Sequence, residues 1–500
     1  MPSSELIARF ARVRRDRPDR TILVGLSESR TLTSAQLWEE FDAMRAALAR
    51  AGLDDSSLLI SVVGNRVAYV PLLMACLESR IALMPADRGT TTAETLALAD
   101  RWHATALVLV DVPPLDRPHV VTPLPGDLSL VRLTGTTPAP ELYAGCTVLK
   151  LTSGSTGLPK ATRTREPQLI ADAEQIAAAM DIRPDDVSLG SIPLSHAYGL
   201  GNLVLPILTQ GTAAAVREKF APTHVPEDAR AVGARAFHGV PFMFEHMLAH
   251  LPAGSWPEGL CRLITAGARI DLETIRGFKA AFGQKIHSFY GASETGGICF
   301  DDTEDVPETL TVGRPMPNVQ VTLRPDEAGR PGEEGAPPDG GRVHVTGTAV
   351  SDGYAGLSAS EQEGFVHGGF LTGDLGYFDR AGQLVLTGRV SSFINVAGRK
   401  VQPDEVERVL REMPAIADVR ILGAPDPRRG QMLVACIVPR TTGLKAVDVR
   451  TFCAARLAAH KIPREYLLLE EMPRDDRGKT SRRALEEAVA RHLAARADML

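Results

Sequence analysis

Five hundred residues, 44% of them hydrophobic and 23% charged, exceed what a single hydrophobic core usually organises, so two or more domains are expected. A net charge of −6 made of interspersed acids and bases lacks the basic stripe that neutralises phosphates, so nucleic acid is not an expected partner. Six scattered cysteines (Cys76, Cys146, Cys261, Cys299, Cys436, Cys453) form no C-x-x-C pair, no run approaches the roughly 20 apolar residues of a membrane span, and MPSSELIARFARVRRDRPDR lacks a signal-peptide core, so a soluble cytoplasmic protein with reduced thiols is expected.

From Leu6 to about Val350, short apolar runs (LLISVV, ALVLVDV, TVLKLTSG) alternate with longer helical patterns. That rhythm predicts strands with crossover helices and an α/β architecture. The first clear helix is 34–51, where Leu37, Phe41, Met44 and Leu48 recur at steps of three and four and form a core-facing stripe. Between Pro325 and Gly341 the segment PDEAGRPGEEGAPPDGG reads as an exposed loop within the large domain. A boundary is expected after QLVLTGRV, dividing the chain into a large domain, 1–390, and a small one, 391–500. The small domain opens with a helix that has Pro403 in its first turn and an apolar stripe of Val406, Val409, Leu410 and Met413. The runs DVRILGAP and MLVACIVP, a helix near Asp448 and a charged last helix complete a small α+β unit.

The chemistry begins at Thr152-Ser153-Gly154-Ser155-Thr156-Gly157-Leu158-Pro159-Lys160, directly after the apolar strand TVLKL. Glycines admit close approach of an anion, hydroxyls and amides donate to it, and a lysine adds a point charge, so the loop suits a polyphosphate. It is not a Walker A sequence, and Gly478-Lys479-Thr480 also fails that pattern because Pro473 stands where the first glycine belongs. Taken alone, such a loop is more often a surface turn. Five further segments follow in order: Pro193-Leu194-Ser195-His196-Ala197-Tyr198-Gly199-Leu200, Tyr290-Gly291-Ala292-Ser293-Glu294, Thr372-Gly373-Asp374, Gly388-Arg389 and Gly478-Lys479.

With these six motifs the chain resembles, over nearly its whole length, the adenylate-forming superfamily of acyl-CoA synthetases, peptide-synthetase adenylation domains and luciferases. The resemblance implies a large α/β AMP-binding domain with a small mobile α+β domain. It implies activation of a carboxylic acid by ATP with release of pyrophosphate, then transfer to a thiol. CoA is the expected acceptor; a carrier protein or another nucleophile remains an alternative, as does a catalytically silent nucleotide-binding relative.

The same resemblance assigns roles. Thr152, Ser153, Gly154, Ser155, Thr156, Gly157 and Lys160 cradle phosphates, Tyr290 lies against adenine with Gly291 beside it among the cofactor-binding residues, and Ser293 faces phosphate. Glu294 helps hold Mg²⁺, a hard cation that prefers oxygen ligands. Asp374 accepts the ribose hydroxyls, Arg389 assists at ribose or phosphate, and Lys479 is the adenylation lysine. The hinge falls at Ser391-Ser392, where relatives commonly carry Asp or Lys; Ser392 is the hinge residue proper. Gly398 matches the glycine beside the pantetheine passage.

His196, Tyr198, Gly239, Val240, Gly267 and Ala268, with Thr265 and Ala266, resemble pocket-lining positions. His196 either gates the pocket or is a packed histidine, and the small residues suit a planar ring or a threading chain equally. SHAYGLG has no Asp to pair with an α-ammonium group, which turns the expectation toward an aryl or aliphatic acid. A serine hydrolase is disfavoured because Gly291-Ala-Ser293-Glu-Thr295 breaks G-x-S-x-G at its end. A zinc site is disfavoured because FEHMLAH, with His246 and His250, lacks the Glu of H-E-x-x-H.

Overall fold

The computed structural model describes residues 4–152, 159–325, 340–358, 362–390, 394–396, 399–401, 403–426, 430–457, 459–475 and 480–497. Its contacts divide the chain into two compact units: 1–324 with 343–372 and 378–385, and 325–342 with 373–377 and 386–500.

The first unit is built on two sheets. The nine-stranded sheet runs, in spatial order, Arg314–Pro315, Gly296–Phe300, Ile286–Ala292, Arg262–Thr265, Ala236–Gly239, Val187–Gly190, Ala213–Val216, Thr21–Gly25 and Arg30–Thr33. Its centre is parallel, with His238 opposite Ile264 and Gly190. Both ends turn antiparallel, at Thr21–Gly25 with Arg30–Thr33 and at Ile286–Ala292 with Gly296–Phe300. A seven-stranded sheet orders His119–Leu124, Leu128–Leu133, Ala106–Leu109, Leu58–Val62, Ala82–Pro85, Val148–Thr152 and Lys160–Thr164. The alternating period of its strands divides two apolar clusters: Leu59, Leu83 and Val108 join the main core, while Leu58, Met84 and Leu107 face a second one.

The helix foreseen over 34–51 spans Ser34–Arg50, and its stripe Leu37, Phe41, Met44 and Leu48 is buried. It starts where it does because the Thr33 hydroxyl accepts from the Gln36 N–H while the Gln36 side chain accepts from the Thr33 N–H, a reciprocal cap. A shorter five-stranded sheet contains Val319–Arg324, Gly341–Gly347, Gly369–Phe378, Phe365–Val366 and Leu384–Arg389. Residues 326–339 of the loop foreseen at 325–341 lie outside the described residues.

In the second unit, Arg399–Val401, Ile394–Val396, Gly430–Pro439 and Ile416–Asp426 form an antiparallel sheet, with Glu465–Leu468 parallel to Gly430–Pro439. Alternation again sorts its faces. Val419, Ile421, Leu433 and Ala435 meet Val406 and Leu410 of the helix Pro403–Arg411, with Val449 and Cys453 of Ala446–Ala454. Leu422, Ala424, Val434 and Cys436 meet Leu485 and Val489 of Arg482–Ala497. The result is a helix on each face of one sheet, an α+β unit. Among the described residues no helix is long and apolar enough to cross a membrane.

Candidate active site

Strands Val148–Thr152 and Lys160–Thr164 form a hairpin in which Thr152 stands opposite Lys160. The Thr152 hydroxyl donates to the Lys160 carbonyl at 3.4 Å and closes the mouth of the loop. Ser153, Gly154, Ser155, Thr156 and Gly157 lie outside the described residues. The Lys160 ammonium lies 4.9 Å from the centre of the Tyr354 ring and 3.3 Å from Glu363. Glu363 is 87% exposed on its side chain, so that ion pair is weak and leaves the lysine available to an anion.

The hairpin edge is tied to the Tyr290–Glu294 segment. Thr162, opposite Lys150 in the hairpin, donates to the Ser293 carbonyl at 3.5 Å. Tyr354 bridges to Thr162 through its backbone and donates its hydroxyl to Oε1 of Glu294 at 2.8 Å. Burial, then the nearby Glu294 carboxylate, pushes the Tyr354 phenol well above its ordinary range, so it acts as a donor throughout neutral pH. Ser351 fixes the backbone beneath the same glutamate, its N–H and hydroxyl both donating to the Glu294 carbonyl at 2.8 and 3.0 Å. Tyr290 is buried in the strand Ile286–Ala292, whereas Gly291 is exposed at the strand's end. A half-buried carboxylate beside a phosphate-type loop fits Mg²⁺, which takes one or two protein carboxylates and completes its shell with phosphate and water oxygens. No group of three or more metal-ligating side chains occurs among the described residues. His246 and His250 are one turn apart on the helix Pro241–His250, with His250 Nδ1 2.8 Å from the His246 carbonyl oxygen.

A second cluster surrounds Pro193–Leu200. His196 is bound through Nε2 to the Asp87 carboxylate, and the Ser195 hydroxyl donates to the same oxygen at 3.3 Å. Gly199 is required by close approach: a Cβ there would stand 2.1 Å from the Pro193 carbonyl oxygen. The Tyr198 hydroxyl donates to the carbonyls of Ile264 (3.0 Å) and Gly239 (3.3 Å), and its ring lies 5.6 Å from Phe289. Tyr198, Gly239 and the strand carrying Tyr290 are thereby brought together. Val240 is buried, while Gly267 and Ala268 are exposed in the turn after Arg262–Thr265.

Asp374 lies in the strand Gly369–Phe378 and belongs, with Arg389, to the second unit. Arg389 Nε donates to Asp374 Oδ1 at 2.6 Å. The carboxylate is 9% exposed and the guanidinium 64%. Ser392, Gly398 and Lys479 lie outside the described residues. Tyr354 and Asp87 were not foreseen from sequence; the Gly-Tyr pair at 353–354 was the only local signal for the first, and nothing local marked the second.

Residues 10–355 match the family model described as AMP-binding enzyme, and residues 405–479 match that of the AMP-binding enzyme C-terminal domain. Among curated proteins, the chain is 26% identical over 488 residues to a sulfoacetate–CoA ligase of Cupriavidus necator, covering 93% of this chain and 94% of that protein. It is 28% identical over 504 residues to a fatty acid–[acyl-carrier-protein] ligase, ScoC, of Streptomyces coeruleorubidus, covering 92% of each. ATP-bound MatB from Rhodopseudomonas palustris shares the fold with a TM-score of 0.81 at 21% identity, over 97% of this chain and 99% of that one.

Proposed function

The chain belongs to the AMP-binding enzyme family, and we propose from that premise that it is an AMP-forming acid–thiol ligase with CoA as acceptor. A carboxylate oxygen of the acid attacks the α-phosphorus of ATP, the bond to the bridging oxygen breaks, and pyrophosphate leaves. A thiolate sulfur then attacks the carbonyl carbon of the acyl-adenylate, AMP leaves, and a thioester remains. The observation that carries this reading is the joining of Lys160, at the end of the phosphate-type loop, to Glu294 through the single side chain of Tyr354.

Each residue then has a task. The Thr152–Lys160 loop holds the departing pyrophosphate, and Lys479 neutralises charge building between the carboxylate and the α-phosphate, a step in which positioning and electrostatics supply most of the catalysis. Tyr290 lies against adenine, with Gly291 admitting its close approach. Asp374, oriented by Arg389, takes the ribose hydroxyls. Glu294 would hold Mg²⁺, which would supply charge neutralisation at the phosphate oxygens. His196, held by Asp87, Tyr198, Gly239, Val240, Gly267 and Ala268 border the acid, Gly398 borders the thiol's passage, and Ser392 is the hinge that exchanges the two half-reactions.

Acid-dependent exchange of labelled pyrophosphate into ATP tests the first half, and mass spectrometry of AMP and thioester with and without CoA tests the second. Lys479→Ala is expected to abolish the exchange while ATP binding persists. ATP binding without exchange on a broad acid panel would instead identify a silent relative. AMP release with a carrier protein but not with CoA would reassign the acceptor, the ScoC likeness being the reason to include that arm.

A further inference from the structure

The segment carrying His196 follows the strand Val187–Gly190 of the nine-stranded sheet, and it is clamped by side chains from the seven-stranded one. Asn65, buried just beyond the strand Leu58–Val62, donates from its amide nitrogen to the Ile192 carbonyl at 3.0 Å, and its amide oxygen accepts the Leu194 N–H at 2.9 Å. The same nitrogen donates to the Arg217 carbonyl at 3.2 Å, which ties the clamp to the end of the strand Ala213–Val216. The His196 N–H donates to the Pro193 carbonyl at 3.2 Å, and the Leu200 N–H donates to the His196 carbonyl at 2.8 Å. The backbone is thereby fixed on both sides of the histidine.

The ring is fixed as well. Asp87 lies just beyond Ala82–Pro85, the strand beside Leu58–Val62, and its carboxylate meets His196 Nε2 while the Ser195 hydroxyl donates to the same oxygen at 3.3 Å. An ionised carboxylate can only accept, so the proton of the neutral ring sits on Nε2 and the lone pair on Nδ1. Nδ1 makes no hydrogen bond or ion pair among the described residues, and the His196 side chain is 21% exposed. The cation that follows Asp87 in the chain, Arg88, pairs with Glu218. A carboxylate on one ring nitrogen and an open acceptor on the other is the arrangement by which a histidine takes a proton from a nucleophile.

Only one proton in the proposed reaction calls for a base. A carboxyl group with an ordinary pKa of about 4 is ionised at neutral pH, so the acid enters the first half-reaction with no proton to give. A thiol with an ordinary value of about 8.5 enters the second half-reaction mostly protonated. Its proton has to leave before or as the sulfur attacks. Histidine titrates in the range suited to that transfer, and a positioned general base contributes roughly 10²- to 10⁴-fold.

We propose that Asp87 is a positioning residue that makes His196 the base for the thiol. This rests on the ligase reading. The thiol proton passes to Nδ1, the sulfur–carbon bond forms, the bond from the carbonyl carbon to the phosphate oxygen breaks, and AMP leaves with that electron pair. The Asp87 carboxylate then faces an imidazolium whose charge it offsets, and the proton passes to water once the thioester has gone. Asn65 keeps the segment in place, so Asp87 sets the tautomer of a ring that does not swing.

The test compares the two half-reactions in wild type, Asp87→Asn, Asp87→Glu and His196→Gln, each pair of measurements on one preparation so that a loss of folded protein cancels. The first is acid-dependent pyrophosphate exchange over a broad panel of aliphatic and aryl acids, acetate, hexanoate and benzoate among them. The second is single-turnover thioester formation when the acyl-adenylate of the fastest-exchanging acid is mixed with CoA. The ratio of the second rate to the first should fall at least about tenfold in Asp87→Asn and further in His196→Gln, with Asp87→Glu recovering part of it. The deficit should narrow as the pH rises past about 8.5, where water ionises the thiol unaided. Nitrogen-15 NMR of the histidine signal that His196→Gln lacks should show the proton on Nε2 in wild type and a shift toward Nδ1 in Asp87→Asn, whose amide can donate to Nε2. An unchanged ratio in both Asp87→Asn and His196→Gln, a deficit that does not vary with pH, or a wild-type proton on Nδ1 overturns the proposal. Exchange without any thioester from CoA in wild type removes the thiol step and the proposal with it. Silence in exchange with every acid, despite measured ATP binding, defeats the ligase reading itself and this inference with it.

Discussion

The Tyr354 hydroxyl donates a 2.8 Å hydrogen bond to Oε1 of Glu294 while the Tyr354 ring lies under the Lys160 ammonium, 4.9 Å from ring centre to nitrogen. One side chain thus holds an anion and a cation at a fixed separation. Tyr354→Phe keeps the ring, its edge contact with Phe365 and the cation–π contact, and removes only the donor. A hydrogen bond to a charged group contributes about 1.5 to 3 kcal/mol, so acid-dependent pyrophosphate exchange should fall roughly ten- to a hundredfold. Thermal stability should fall as well, by up to about 3 kcal/mol, so exchange is compared on folded protein. Full activity in the variant would show that Glu294 needs no such support.

Asp374 and Arg389 offer a contrasting case. Their 2.6 Å contact joins a buried carboxylate to a guanidinium that is mostly exposed, and exposed partners contribute little to stability, on the order of 0 to 1 kcal/mol. Asp374→Asn should therefore leave the melting temperature almost unmoved. On the role proposed for Asp374 at the ribose, it removes the charge that accepts two hydroxyls, so ATP affinity measured by calorimetry should drop by at least about tenfold. A large fall in stability with unchanged affinity would make the pair structural.

How far the sequence discloses these arrangements depends on separation along the chain. The helix Ser34–Arg50 was legible because its stripe repeats within seventeen residues, and the hairpin around Thr152 and Lys160 because its strands are nearly adjacent. The motif order gave Glu294, Asp374 and Arg389 as positions. Their partners were another matter: Tyr354 lies 60 residues from Glu294, and Asp87 lies 109 from His196. Asp87 has no local pattern that separates it from an ordinary surface charge. The antiparallel ends of the large sheet likewise follow from how neighbouring strands pair.

Gly199 carries the shape of the Tyr198 segment. With Ala at this position the new methyl would meet the Pro193 carbonyl oxygen at 2.1 Å and carbon at 2.8 Å, both backbone atoms that no rotamer change can move aside. Gly199→Ala should force residues 193–199 open, displacing His196 from Asp87 and Tyr198 from the Ile264 carbonyl. Steady-state kinetics should record at least about a tenfold loss in kcat/KM for the acid, larger than the change in KM for ATP. An equal loss for both substrates would place the damage outside the acid's side of the site.

His238 gives the chain an acid sensitivity of predictable sign. It lies on the strand Ala236–Gly239 with its ring 6.2 Å from that of Tyr198, is fully buried, and neither ring nitrogen has a partner among the described residues. Burial lowers its pKa from 6.5 to about 3. The folded chain therefore refuses a proton that the unfolded chain accepts once the pH falls below about 6.5. Its contribution to stability is whole above pH 6.5 and declines as the pH falls toward 3, by up to about 1.4 kcal/mol per pH unit. His287, on the strand Ile286–Ala292 two places along the same sheet, is shifted the same way by burial and then by Lys285, so removing His238 should leave a residual slope. The melting temperature of His238→Leu should fall less steeply than that of the wild type between pH 6.5 and 4, with parallel curves above pH 7. Parallel curves throughout would mean that the histidine takes up its proton in the folded state, against the dry, unpartnered setting in which it sits.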